Sequence, residues 1–221
     1  VKAAHEQAEA DPEVKSLVIA SANNAIFSAG ADLKAFMAIE GDAVGEIIDA
    51  TNGVFRALET GRVTTIAAVN GMALGGGCEL AMSANVRLAG ESASFGQPEI
   101  NLGLVPGFGG TQRLPRLVGR RAAFEMIASG DAISAWRALE LGLVAEVVPD
   151  HELFDAAIAL AEQLGAQPQG AVGQIKDLLD DPTFEAGLAR ERDAFVAAFQ
   201  SEDGVEGVSA FLQKRPPKFN G

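Results

Sequence analysis

The sequence predicts an α/β core followed by a helical C-terminal region, and two observations indicate it. Short apolar runs alternate with helix-like stretches through the first half of the chain, whereas helical patterns dominate from Gly119 onward. Alternating strands and helices are typical of an α/β core, and a later run of helices indicates a region added to it. The 221 residues are enough to bury one large hydrophobic core. We predict an α/β core over residues 1–140 and a C-terminal strand and helical region over residues 141–221.

The elements of the first half follow from apolar spacing and from the residues that bound each run. Residues 2–10 predict a helix that ends at Asp11-Pro12, because proline cannot continue it. "SLVIAS" at residues 16–21 is a short apolar run closed by turn-forming asparagines, which is typical of a buried strand. Helical spacing predicts a helix over residues 43–59, and "TTIAAV" predicts a second strand. A triple glycine then opens a helix to about Ala84, before the strand-like "VRLAG" and "ASFG".

The second half is predicted to hold successive helices with one strand-like run, "LVAEVV", among them. Each helix shows apolar residues three and four positions apart, as expected for a stripe that faces a core. The predicted helices are "GRRAAFEMIAS", "SAWRALELG", "HELFDAAIALAEQL", "AVGQIKDLL" and "FEAGLARERDAFVAAFQ".

Charge and composition exclude several classes of protein. The formal net charge of −13 argues against a nucleic-acid partner, because phosphate contacts need clustered lysine and arginine. No window reaches the roughly 18 consecutive apolar residues of a membrane span, and the polar N-terminal stretch does not resemble a signal peptide. The single cysteine, Cys78, allows no internal disulfide, which favours a reducing compartment. We therefore expect a cytoplasmic protein with no nucleic-acid or membrane partner.

Basic residues form two local groups in this acidic chain. They are either solvated surface or a small patch that receives a phosphorylated ligand. The two groups are Arg113, Arg116, Arg120 and Arg121, and then Lys214, Arg215 and Lys218.

Several kinds of catalytic site have no support in the sequence. The two histidines, His5 and His151, lie at an N-terminal helix and at a predicted helix cap, so a Ser-His-Asp triad is not expected. No cysteine and histidine spacing predicts a metal site. "GLVPGFGG" matches neither a phosphate-binding P-loop nor a dinucleotide-binding motif. Carboxylates and backbone amides are left as the groups that could do chemistry, with Cys78 interpreted as a packed small residue.

The triple glycine at residues 75–77 is the first such candidate. A strand, a glycine turn and a helix start present unpaired N–H groups at the positive end of a helix, where an oxyanion can bind. Glu79 lies in the first helical turn, where the dipole favours its ionised form, so it is a candidate general base. The alternative is that Glu79 only caps its helix.

Glu99 is the second candidate carboxylate. It lies in the glycine- and proline-rich "FGQPEINLG" among apolar neighbours, and such surroundings favour a protonated carboxyl that can donate a proton. The alternative is an ordinary loop residue. The turn "FSAGADLK" could supply a second oxyanion amide, or could be only a helix entry that Asp32 caps.

Taken together, these segments resemble the enoyl-CoA hydratase/isomerase family, also called the crotonase family. The matching segments occur in the family's order and cover nearly the whole chain. The resemblance implies a spiral of ββα units with C-terminal helices that form a homotrimer or homohexamer. The segments are "FSAGADLK", "IAAVNGMALGGGCELAMSANVRLAGESASFGQPEINLGLVPGFGGTQRLPRLVG", "ISAWRALELGLVAEVVP" and "EGVSAFLQKRPPKF".

The resemblance also implies roles for particular residues. The backbone amides of Ala31 and Gly76 would form the oxyanion hole for an acyl-CoA thioester, with Glu79 and Glu99 as the catalytic pair of a hydratase. Glu79 would hold and deprotonate the water, and Glu99 would protonate the α-carbon. The backbone around Ala29, Ala31, Asp32 and Leu33 would bind coenzyme A, which is part of the substrate, so no separate cofactor or metal is expected. The C-terminal "LQKRPPKF" would meet its phosphates.

Two departures from the family pattern and three rival functions remain. The family's usual N-terminal β-hairpin precedes the point at which this sequence starts, so we expect a truncation or an altered ligand site. Trp136 and Arg137 replace small or acidic residues, for which packing is the expected reason. The rivals are a Δ3,Δ2-enoyl-CoA isomerase, a non-catalytic or RNA-binding member, and a decarboxylase or thioester hydrolase.

Overall fold

The computed structural model describes residues 1–37, 43–180 and 183–219. Within these residues the chain forms eight strands and eleven α-helices, with one 3-10 helix at Pro98–Leu102. The strands are β1 (Ser16–Ile19), β2 (Ile26–Ser28), β3 (Thr64–Val69), β4 (Met72–Leu74), β5 (Val86–Gly90), β6 (Ser94–Gly96), β7 (Ile133–Ser134) and β8 (Glu146–Val148). The helices are α1 (Lys2–Ala10), α2 (Leu33–Met37), α3 (Ala43–Thr60), α4 (Gly76–Met82), α5 (Gly110–Val118), α6 (Arg120–Ser129), α7 (Ala135–Glu140), α8 (Leu153–Gly165), α9 (Gln169–Leu179), α10 (Phe184–Gln200) and α11 (Glu202–Leu212).

Consecutive strands are divided between two four-stranded sheets. The first sheet has the order β1-β3-β5-β8 with every pair parallel. The second has the order β2-β4-β6-β7 and is parallel except for the pair of β6 and β7. Each of the first three pairs of strands places one strand in each sheet and is followed by helical structure. The predicted α/β class and the succession of ββα units are therefore confirmed.

Strand β3 shows why the sequence "TTIAAV" forms the centre of the first sheet. All six of its residues are buried. Ala67 and Val69 belong to one apolar cluster with Phe95 of β6, whereas Ile66 and Ala68 belong to another that α8 covers. Side chains alternate between the faces of a strand, so a parallel strand buried on both faces needs a continuous apolar run.

Four of the elements that were not predicted are β4, β7, α5 and α11. Strands β4 and β7 are only three and two residues long, too short to show a repeating pattern. Helix α5 begins in glycines and contains Pro115, both unfavourable to a helix, yet Leu114 on it is fully buried in the main cluster. The fourth element, α11, was not expected as a separate helix. The boundary between residues 140 and 141 stays a prediction, and β8, on its C-terminal side, completes the first sheet.

Gly77 allows helix α4 to approach the end of strand β2. A Cβ atom at Gly77 would overlap the carbonyl oxygen of Ser28 and would lie 2.7 Å from the Ser28 Cβ. The neighbouring atoms are backbone and a short side chain, which cannot swing away. One of the three glycines therefore has a packing role that is independent of any ligand.

We expect Gly77→Ala to lower the free energy of unfolding by about 1–3 kcal/mol, the usual cost of overpacking. Gly53→Ala is the matched control, because Gly53 lies in helix α3 and a Cβ there would meet nothing within 4 Å. Alanine favours a helix over glycine, so this control is expected to gain about 0.5–1 kcal/mol. Urea unfolding of both variants measures the difference, and equal effects would contradict the packing role of Gly77.

Candidate active site

Two glycine turns from distant parts of the sequence meet at one point. Gly30 has a φ of +90°, and a Cβ atom on it would lie 3.0 Å from the nitrogen of Gly76. Gly76 is the first residue of α4, so its N–H has no acceptor within the helix. The N–H of Ala31, next to Gly30, donates to no acceptor within residues 1–37, 43–180 and 183–219. The turns thus bring together two N–H donors at residues that the sequence predicted as an oxyanion hole.

These turns line a cavity of about 400 Å³. Of the residues predicted to bind substrate, Ala31, Asp32 and Gly76 line it. Ala29 is exposed in the same turn, and Leu33 packs against the apolar cluster that contains Phe36. The rest of the lining is largely apolar and is supplied by Ala35, Phe36, Ile47, Phe55, Leu80 and Phe108, with Ser28, Gly30 and Thr51 adding small or polar surface. An apolar chain with one polar end fits such a lining.

Asp32 caps helix α2, as one of the two sequence interpretations expected. Its Oδ1 accepts hydrogen bonds from the backbone N–H of Lys34 at 2.9 Å and of Ala35 at 3.4 Å. One carboxylate oxygen of Asp32 is thus engaged by the helix start.

Glu79 projects from α4 into the protein and is 1% exposed. Its Oε1 accepts hydrogen bonds from the backbone N–H of Phe108 at 2.9 Å and of Gly110 at 2.7 Å. Its Oε2 is buried and has no partner among the residues that the structure describes. The side chain is thus held by one oxygen, and the other oxygen retains its full capacity to bind a water or a substrate atom.

Glu99 lies on the 3-10 helix beside the triple glycine. Its Oε1 lies 2.7 Å from the position that a Cβ on Gly75 would occupy. Its Oε2 is buried and, within the described residues, unpaired. Burial raises the pKa of Glu99 to about 7, with the nearby charge of Glu191 acting in the same direction. The expectation that Glu99 is a protonated donor near neutral pH agrees with this direction.

The helix dipole is not the largest influence on the pKa of Glu79, contrary to the expectation. Burial raises the pKa of Glu79 well above its ordinary value, and the charges of Glu99 and Glu191 add to the rise. The N–H donors of Gly110 and Phe108 act in the opposite direction but are the smaller influence. Desolvation therefore outweighs the partial charge at the start of a short helix.

Phe108 lines the cavity, and its backbone N–H holds Glu79. Neither Glu79 nor Glu99 lines the cavity, whereas the Phe108 ring does, and it would lie 3.0 Å from a Cβ on Gly76. The ring packs edge to face against Phe36 and Phe55, each with 6.3 Å between ring centroids. The two residues predicted to form an oxyanion hole, Ala31 and Gly76, thus line one cavity, and the two glutamates are not part of its lining.

Two buried charged residues near the site were not predicted. Glu191 of α10 is 4% exposed and accepts a hydrogen bond from the N–H of Gly109, next to the residues that hold Glu79. The sequence does contain a signal that Glu191 is buried. Glu191 lies three residues after Leu188 and four before Phe195, on the apolar stripe of α10. Arg113, interpreted as surface or phosphate patch, is 3% exposed and donates to Glu59 at 2.5 Å.

Cys78 is a packed residue, as expected. It is fully buried in the main apolar cluster. Burial raises the pKa of its thiol to about 12, so it is neutral at physiological pH. No helix among the described residues is long and apolar enough to cross a membrane.

Comparison with known proteins places the chain among enzymes that act on acyl-CoA compounds. A family model described as "Enoyl-CoA hydratase/isomerase" matches residues 1–221. A probable enoyl-CoA hydratase of Bacillus subtilis is 41% identical over 221 residues, which cover 98% of this chain and 85% of that protein. The 2,3-dehydroadipyl-CoA hydratase of Escherichia coli is 42% identical over 219 residues, with coverages of 98% and 85%.

Solved structures agree with the sequence comparison. The crystal structure of carnitinyl-CoA hydratase from Mycobacterium avium matches with a TM-score of 0.87 and 39% identity. The match covers 100% of this chain and 86% of that one. The likeness therefore extends through both sheets and the C-terminal helices.

We expect the unfolding free energy of Glu99→Gln, relative to that of the wild type, to increase as the pH rises. Glu99 would ionise near pH 4.3 in the unfolded chain, by roughly the value of a free glutamate, but only near 7 in the folded one. Between these values the folded state keeps a proton that the unfolded state has lost, so wild-type stability falls as the pH rises through this window. Loss of the charge also lowers the pKa of Glu79, which acts in the same direction.

The difference in unfolding free energy between the variant and the wild type is expected to be about 1–3 kcal/mol larger at pH 8 than at pH 5. This magnitude follows from a pKa shift of this size. Chemical denaturation at both pH values measures it. Glu125→Gln is the control, since Glu125 is exposed on α6 and paired with Arg121. A Glu99→Gln difference that does not change with pH would contradict the raised pKa.

Proposed function

The chain belongs to the enoyl-CoA hydratase/isomerase family, and on that premise we propose that it adds water to the double bond of a trans-2-enoyl-CoA to give a 3-hydroxyacyl-CoA. One observation carries the choice of hydration. Glu79 and Glu99 each keep one buried carboxyl oxygen without a partner among the described residues, and each carboxyl lies within the field of the other. A water between two such oxygens would satisfy both and be positioned to react.

The oxyanion hole of this proposal is formed by the N–H groups of Ala31 and Gly76. They would donate to the thioester oxygen, which gains negative charge as the enolate forms. Each donor of this kind contributes about 3–4 kcal/mol of transition-state stabilisation. The close packing of Gly30 on Gly76 supports this role, because a Cβ at Gly30 would crowd the Gly76 nitrogen that must donate.

The two glutamates divide the proton transfers. Glu79 takes one proton from the water as the oxygen bonds to C3, and the C2–C3 π electrons move toward the thioester as an enolate. Glu99 gives its proton to C2 as the enolate collapses, so H and OH have been added in total. Return of the proton from Glu79 to Glu99 restores the starting state. Neither carboxyl lines the cavity, so the double bond must lie beyond this lining to meet them.

Coenzyme A would lie along the turn at residues 29–33, with backbone groups of Ala29, Ala31, Asp32 and Leu33 as its contacts. It enters as part of the substrate, and no separate cofactor or metal is needed for the proton transfers. The C-terminal basic residues would meet its phosphates. Arg215, one of these residues, donates to the two carboxylate oxygens of Glu206 at 2.6 and 2.7 Å. To bind a phosphate, Arg215 must leave Glu206 or contact both groups at once.

Isomerisation of a 3-enoyl-CoA is the second candidate, since the oxyanion hole would serve an enolate in both reactions. Moving a proton between C4 and C2 requires one acid/base carboxyl, whereas adding water benefits from two. The unpaired oxygens on both glutamates favour hydration.

We also propose that the protein is a homotrimer or homohexamer. Large apolar side chains are exposed on several helices of the second half, which is unusual for the surface of a monomer. They are Phe124, Trp136, Phe154, Ile175, Leu178, Leu179 and Phe211.

Association would bury these side chains. Analytical ultracentrifugation measures the mass of the resulting species directly. We expect a species of about three or six times the chain mass of 22.8 kDa. A purely monomeric protein at micromolar concentration would contradict the proposal.

The function is tested with crotonyl-CoA, by following loss of the enoyl thioester absorbance. We expect Glu79→Gln and Glu99→Gln each to lower kcat by about 100-fold or more, the usual effect of removing a general acid or base. Glu125→Gln, on the exposed face of α6, is expected to retain activity.

The alternatives give different results in the same assay. Turnover of 3-enoyl-CoA without hydration of crotonyl-CoA or longer 2-enoyl-CoAs would make the protein an isomerase. Turnover of malonyl-type or saturated acyl-CoAs alone would indicate a decarboxylase or thioester hydrolase. A folded protein inert on all of these would overturn the enzymatic proposal.

A further inference from the structure

Glu191 reaches the active-site segment from the C-terminal part of the chain. It lies in the middle of helix α10, which packs on α5. Its Oε1 accepts a hydrogen bond from the N–H of Gly109, and its Oε2 accepts from both the N–H of Thr111, at 2.6 Å, and the Thr111 hydroxyl. A carboxylate 4% exposed thus receives three donors from one short segment.

The same segment holds Glu79. The N–H groups of Phe108 and Gly110 donate to Glu79, and those of Gly109 and Thr111 donate to Glu191. Four consecutive amides at the start of α5 therefore alternate between two carboxylates. These amides have no acceptors within their own helix, and the partial positive charge at a helix start favours both carboxylates.

Arg113 fixes the segment from a third side. Its Nη1 donates to the carbonyl oxygen of Phe108 at 2.7 Å, and its Nε donates to Glu59 at 2.5 Å. Gly109 has a φ of +94°, and a Cβ there would overlap the Arg113 guanidinium. Hydrogen bonds to Glu191 and Arg113 fix the backbone of this segment, so the segment can hold the Glu79 carboxylate in one orientation.

We propose that Glu191 is a positioning residue for Glu79. By holding the amides of Gly109 and Thr111, it fixes the intervening amides that bind Oε1 of Glu79. The unpaired Oε2 is then directed at the water. This rests on the proposed role of Glu79 in hydration, and Glu191 would act through the hydrogen bonds that it accepts from Gly109 and Thr111.

The test compares Glu191→Gln with Asp193→Asn. Glutamine keeps the size of the side chain but places an N–H2 group against an N–H donor. Asp193 lies on the same helix, is exposed and pairs with Arg192. We expect Glu191→Gln to lower kcat by about tenfold or more, because small displacements of a catalytic group have effects of this size. KM should change by less than about threefold, since the oxyanion hole is intact. Asp193→Asn should match the wild type.

A double-mutant cycle separates positioning from general stability. If Glu191 acts through Glu79, adding Glu191→Gln to Glu79→Gln should lower the residual kcat by less than about twofold. A full tenfold further loss would overturn the proposal, as would a folded Glu191→Gln variant with wild-type kcat. If Glu191→Gln does not fold, Thr111→Val removes one donor only and is expected to lower kcat by about threefold. Wild-type kcat in that variant would then overturn the proposal.

Hydrogen–deuterium exchange provides a readout that does not depend on activity. Glu191→Gln should speed exchange in the peptide covering residues 104–114, and Asp193→Asn should not. If the wild type hydrates neither crotonyl-CoA nor longer 2-enoyl-CoAs, the proposed function fails and exchange alone decides the positioning. If the wild type is active and Glu191→Gln changes neither kcat nor exchange, the positioning fails and the function stands.

Discussion

The hydrogen bonds between carboxylates and the start of helix α5 are the constraint on which the site depends. Burying a carboxylate is unfavourable unless donors replace its water. Here two helices, α4 and α10, each bury one glutamate, and four adjacent N–H groups supply those donors. The donors do not fully offset the loss of water, because burial still raises the pKa of both Glu79 and Glu191. The hydrogen bonds therefore determine where the two carboxyls lie, and burial determines the direction of their pKa shifts.

Close backbone contacts determine where those carboxyls stand relative to the oxyanion amides. Gly30 packs on the nitrogen of Gly76, and Gly77 packs on the carbonyl of Ser28. Both contacts join the end of β2 to the start of α4, in a sheet whose parallel pairing aligns β2 with β4. The sheet therefore fixes the turns, and the turns fix the direction of the N–H groups.

The sequence predicted what depends on neighbours along the chain and missed what depends on distant partners. Strand β3 was found because it is a short apolar run, and helix α3 because its apolar residues repeat at the helix period. Glu79 and Glu99 were singled out by their glycine-rich surroundings. The effect of the helix dipole on the pKa of Glu79 was overestimated because Glu79 is buried by residues far along the chain. Glu191 was missed because the backbone that it binds lies 82 residues earlier. Helix α5 was not predicted because its glycines and Pro115 are unfavourable to a helix, although Leu114 packs it into the apolar core.

The contact between Glu191 and the start of α5 has a consequence for how the protein is made. A ribosome releases the chain from its N-terminus, so both sheets and Glu79 emerge well before helix α10. Until α10 arrives, the amides of Gly109 and Thr111 have water in place of Glu191. Helix α10 also supplies Phe195 to the apolar cluster that contains Phe36 and Phe108, so the same late segment completes both the core and the surroundings of Glu79. The last part of the chain to be made is therefore needed for the candidate site as well as for the packing around it.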